Sequence, residues 1–206
     1  MKDKMNMKRI AMLLAALVVL ATGCNKGQKF SLSGDLASAG FSDRTDSLLL
    51  QSDAFPLVVS IPVKKGHFSY HGHIERPAAA TLKAVGRETS SLMLVLEKGE
   101  ITFLDGFPQG TKQNDEVSEL IRKLEALIRE NPGDREAVRE AAKKEIRAYL
   151  SHHPKDASAV IALMQARRFS NADEMSELIA MTSKAVQNDG HIHLVKTQIK
   201  RRQMKK

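Results

Sequence analysis

The chain has 206 residues, 32 of them Lys or Arg and 24 Asp or Glu, with a net charge of +8 and 4% aromatic content. That length allows one domain, or two small ones, with a real hydrophobic core. A single cysteine excludes an intrachain disulfide, a Cys-x-x-Cys redox pair and a thiolate metal cage. With so few aromatics there is little for nucleic-acid bases to stack on, and no nucleic-acid partner is expected.

Met1 to Arg9 carries Lys2, Lys4, Lys8 and Arg9 against the single acid Asp3. An unbroken apolar run from Ile10 to Ala21 follows, and small residues lead to Cys24. This is the layout of a secretory signal, and the run is shorter than the roughly 20 residues a spanning helix needs. Ala21-Thr22-Gly23 suits ordinary signal peptidase as small-x-small, but the same residues followed by Cys24 resemble the bacterial lipobox. The usual Leu three residues before the cysteine is replaced by Ala21, with Leu20 one place further out. A lone cysteine directly after such a run favours the lipobox, so residues 1–23 are expected to be a lipoprotein signal peptide. Cys24 is the expected lipidation site, and residues 24–29 form the tether. Two or more acyl chains, at about 0.8 kcal/mol per buried methylene, anchor a protein stably where one does not. By resemblance to lipoprotein sorting, the absence of acids beside Cys24 points to the periplasmic face of an outer membrane. The expected partner at this end is membrane lipid.

From Lys29 to Asp105 the pattern is strand-like. Phe30-Ser31-Leu32-Ser33 alternates and stops at Gly34, and Leu48-Leu49-Leu50 and Leu57 to Ile61 are short apolar runs. After the turn signal Lys65-Gly66, the segment His67 to Ile74 alternates with period two. Ala80 to Val85, Leu92 to Leu96 and Glu100 to Leu104 complete the set, and Lys98-Gly99 reads as a tight hairpin turn. About seven short strands at regular spacing predict an antiparallel β-sandwich over residues 30–106. His67, His71 and His73 share one strand face and are the candidate metal ligands of this half. No acid alternates with them, so a solvated polar face is the favoured reading.

Gly106-Phe107-Pro108-Gln109-Gly110 breaks the strand pattern, and from Asn114 the apolar period becomes 3.6. Val117, Leu120, Ile121, Leu124, Leu127 and Ile128 form the first helical stripe. Asp134 is placed to cap a second helix that ends at His152-His153-Pro154. A third, from about Asp156 to Arg168, is apolar on most sides and is expected to be the most buried. Asn171 and Glu174 form a capping pair for a fourth, and a last helix runs from about His191 through Ile199. His152-His153 and His191-x-His193 read as polar helix-end residues. The fold class is therefore α+β: the sandwich, then a helical region of about five helices over residues 107–206, ending in the basic tail Arg201 to Lys206. There is no Gly-rich phosphate loop, Gly-x-Ser-x-Gly or His-Glu-x-x-His, so neither an enzyme nor a cofactor is expected.

Three runs together carry a resemblance: Phe30-Ser31-Leu32-Ser33-Gly34, Lys65 to Gly72, and Ile74-Glu75-Arg76-Pro77-Ala78. With Leu96 to Ile101 and Gly110 to Asp115 they resemble the N-terminal domain of Bacteroidota thiol:disulfide interchange lipoproteins, described as domain of unknown function 4369. The resemblance covers essentially the whole mature chain. In longer relatives a thioredoxin-like domain with the redox cysteines follows these helices, and no residue here matches its catalytic motif. The resemblance thus implies a non-catalytic, lipid-anchored periplasmic binding or scaffolding module. Its alternative is the accessory half of a split thiol-disulfide oxidoreductase, whose partner would be a thioredoxin-like protein on another chain.

Overall fold

The structure, a computed structural model, describes residues 27–55, 58–86 and 90–204. The signal peptide, Cys24 and the first residues of the tether lie outside the described residues, as do the last two residues of the basic tail. Two four-stranded sheets face each other, and helices cover the outer face of one of them. The first sheet orders β4 (His67–Ile74), β1 (Gln28–Asp35), β7 (Gly99–Leu104) and β8 (Phe107–Gln109). The second orders β3 (Val59–Pro62), β2 (Thr45–Ser52), β5 (Ala78–Gly86) and β6 (Ser91–Leu96). Among the described residues all strand pairings are antiparallel except β1 with β7, which is parallel. The expected α+β class and sandwich are what the chain adopts.

Period-two alternation builds the space between the sheets. Phe30, Leu32, Leu48, Leu50, Phe68, Leu82 and Ile101 point inward and are buried. Phe30 lies opposite Gly72 across the β1–β4 ladder, where a Cβ on Gly72 would stand 2.5 Å from its ring. The glycine is there because the ring occupies the space of a side chain.

The turns on either side of β7 differ from the sequence expectation. Lys98-Gly99 does not close a hairpin, since β6 and β7 belong to opposite sheets. Glu97 and Lys98 carry the chain across the sandwich, and Gly99, at φ +128°, takes a backbone conformation that other residues rarely adopt. The tight hairpin comes next instead. Asp105 and Gly106 have φ of +54° and +82°, the positive pair of a primed two-residue turn, and they fold β8 back onto β7. Strand pairing therefore runs past residue 106. Pro108, which reads as a breaker, is tolerated because β8 is an edge strand.

Helices α1 (Lys112–Glu130), α2 (Arg135–His152), α3 (Ser158–Ala166), α4 (Ala172–Ala180), α5 (Lys184–Gln187) and α6 (Gly190–Gln203) follow. The four-residue α5 is additional to the expected five. Asp134 accepts from the Ala137 N–H at 2.9 Å, and Asn171 with Glu174 forms a complete capping box. Glu174 also pairs with Lys143 and Arg139, each at 2.9 Å, tying α4 to α2. Helix α3 is buried from Ser158 to Leu163 and again at Ala166, as its all-round apolarity predicts. Its bed is the outer face of the second sheet. On β6, Leu92, Leu94 and Leu96 face the sandwich, while Met93 and Val95 face the helices.

Two side chains, Asn114 and Glu97, fix helix α1 to the free edge of β6. Asn114, fully buried, accepts from the Val95 N–H and donates to the Val95 carbonyl, both at 2.8 Å, and donates to the Thr111 hydroxyl. The amide thus takes the place of a neighbouring strand. Glu97, at the end of the same strand, accepts from the N–H groups of Gln113 and Asn114 at 2.7 and 3.2 Å, in the first turn of α1. Replacing Asn114 with Ala orphans both Val95 groups, and we expect a loss of about 3 kcal/mol. Urea unfolding checks this through a lower midpoint at unchanged slope. A loss below about 1 kcal/mol would show that the edge does not depend on the amide.

Candidate functional site

Between the sandwich and the helices lies a groove of about 870 Å³. The β4–β5 turn, Glu75 to Pro77, forms one wall, and the start of α3 with α5 forms the other. Its lining mixes charges: Asp53, Glu75, Asp156 and Asp189 against Arg76 and Lys155. Ala157, Val160 and Val186 supply apolar floor between them. Such a surface can hold an extended polar segment through paired charges and a short apolar contact.

The strand histidines fall where alternation puts them, on the exposed side of β4. Only His73 reaches the groove lining, and the three do not converge as a ligand group. The structure instead brings the helix-end histidines against carboxylates. His153, at the C-terminal cap of α2, has Nδ1 at 3.0 Å from Asp156 and 3.7 Å from Glu116 on α1. Its ring stacks on Tyr149 with centroids 4.4 Å apart. Burial pushes the Tyr149 phenol up to about 12, the neighbouring carboxylates Glu116, Asp156 and Glu97 add to the rise, and the Ser158 hydroxyl opposes it. The two hydroxyl oxygens lie near each other without reaching hydrogen-bond geometry.

At the other end of the groove, Asp189 accepts from the His191 N–H and sits 2.9 Å from its Nδ1. Nε2 lies 3.1 Å from the Thr81 hydroxyl on β5. Asp53, from the β2–β3 connection, accepts from the Gly190 N–H at 2.6 Å. The start of α6 is thereby moored to the second sheet at two points. The helix-end reading of His153 and His191 places both correctly. Asp156 and Asp189 are near them in sequence, whereas Glu116 and Thr81 reach them only through the tertiary fold.

Compared with family models, with curated proteins and with solved structures, the chain matches none. The class that fold and site define is a two-sheet sandwich with a helical cover and a charged groove between them.

The Asp189 hydrogen bond raises the His191 pKa above its ordinary value, with Asp189 and Asp53 charges adding and burial opposing. A raised folded-state pKa contributes stability that is fully present below the unfolded value and is lost as pH rises through the folded one. We therefore expect the mooring of α6 to weaken across the upper part of the range from about pH 5 to about pH 8. The amide protection of α6, taken relative to the intrinsic base-catalysed exchange rate, should fall with pH along that range in the wild-type protein and stay level in His191→Gln. Parallel pH profiles in the two proteins would remove His191 as the cause.

Proposed function

We propose that this chain is a non-catalytic, lipid-anchored lipoprotein of the outer membrane's periplasmic face that acts as a binding or scaffolding module. The observation that carries the binding part is the groove, whose opposed charges suit an extended polar segment of an envelope protein. Arg76 and Lys155 provide its cationic contacts, and the carboxylates around them set the register of the bound segment. The anchor rests on the signal layout and on Cys24, which lies outside the described residues. The sulfur and the new N-terminus would carry the acyl chains, and the polar residues after it would let the sandwich stand off the bilayer. The resemblance of Phe30 to Gly34, Lys65 to Gly72 and Ile74 to Ala78 to thiol:disulfide interchange lipoproteins supports an envelope setting. It also gives the second reading, a tether for a separate thioredoxin-like protein.

In-cell cross-linking followed by purification from membranes tests both parts. Cys24→Ala is expected to move the protein from the membrane to the soluble fraction. The double variant Arg76→Glu, Lys155→Glu is expected to stay at the membrane and lose the partner that wild type captures. Capture undiminished in the double variant would take the groove out of the proposal. A captured thioredoxin-like protein would favour the split redox system, and other envelope proteins would favour a scaffold outside redox chemistry.

A further inference from the structure

We propose that Glu116, His153 and Asp156 form a divalent-cation site of the zinc class beside the groove. One ligand atom from each lies within 4.8 Å of the other two, and among the described residues this is the group of histidine and carboxylates that comes together in this way. A hydrogen bond between His153 and Asp156 alone would be an ordinary loop contact. It does not account for Glu116. The Glu116 Oε2 atom is buried with no hydrogen-bond partner, and it faces the same imidazole nitrogen that Asp156 already occupies. A single N–H serves one acceptor well, so two carboxylates around it leave an uncompensated buried oxygen. A cation shared by the three side chains removes that cost.

The spacing fits. Zinc bonds of about 2.1 Å to nitrogen and oxygen in a tetrahedron put ligand atoms about 3.4 Å apart. The distances from Nδ1 to the two carboxylates, 3.0 and 3.7 Å, straddle that value. One imidazole with two carboxylates suits zinc, cobalt or manganese, and not the soft ions that thiolates select. Tyr149 restricts the ring's orientation by stacking on it. The Ser158 hydroxyl, on a fully buried residue and without a hydrogen-bond partner, lies beside Tyr149 in the same polar cluster. Three protein ligands leave a fourth position for water or for a ligand group, and Asp156 is itself part of the groove lining. The site does not rest on the anchor or on a protein partner, and zinc uptake can fail while capture persists.

The test is equilibrium dialysis of the full chain against zinc, with cobalt substitution followed by visible absorption. The expected result is one saturable ion per chain and a cobalt spectrum of low-coordination type. Glu116→Gln, His153→Gln and Asp156→Asn should each weaken binding by about tenfold or more. His71→Ala with His73→Ala should leave it unchanged. Thermal unfolding adds a readout that a merely structural role would not give. Zinc should raise the wild-type midpoint and not that of Glu116→Gln. Without metal, Glu116→Gln should be about as stable as wild type, because the buried Oε2 makes no hydrogen bond and the other oxygen makes only a long, exposed ion pair with Lys112. No saturable uptake, uptake that survives the Glu116 and His153 changes, or loss of uptake in the strand variant would each overturn the site.

Discussion

A carboxamide standing in for a β-strand is what the rest of this structure depends on. Edge strands present unpaired N–H and C=O groups, and β6 is such an edge. Asn114 satisfies both groups of Val95 from within a helix, so the sheet ends where the helical layer begins. Glu97 completes the join by accepting from the first turn of α1. Because Val95 also packs against Val117 and Ile161, the polar join sits on an apolar one. The two fix where α1 starts and, through α1, where Glu116 lies.

From that join the groove follows. Gln113, the residue before Asn114, accepts from the Ser158 N–H at 3.1 Å and so sets the start of α3. The loop between α2 and α3 is thereby held against α1, bringing His153 and Asp156 to Glu116. At the far end, Asp53 and Thr81 receive α6. The helical cover is thus secured to the second sheet at both ends of the cavity, and the cavity is the space between the moorings.

Much of this was readable in the chain. Alternation at Phe30-Ser31-Leu32-Ser33 and His67 to Ile74, and the 3.6 period from Val117 to Ile128, are local signals that burial enforces. The capping box at Asn171 and Glu174 is equally local. What escaped was set by tertiary contact or masked by a competing signal. Lys98-Gly99 looks like a hairpin because Gly permits one, but the strands on either side bury opposite sheets. Asp105-Gly106 is the true hairpin turn, and Pro108 hid the strand after it. Asn114 reads as an ordinary first-turn residue, since nothing in its neighbourhood along the chain shows that Val95 needs a partner. The three strand histidines stand close in sequence without converging on a ligand group, whereas His153 meets Glu116 only across helices.

The parallel pairing of β1 with β7 bears on how the chain can be assembled. Phe30, Ser31 and Leu32 lie beside Gly99, Glu100 and Ile101, so the first strand waits for partners from the middle of the chain. β4 arrives earlier and covers one flank, leaving the other open meanwhile. In a chain made N-terminus first, that flank stays unpaired until the sandwich closes. Such an exposed edge invites pairing with other nascent copies, and closure over so long a separation is slow. Between the synthesis of Leu32 and that of Ile101, one edge of the first strand lacks its parallel partner.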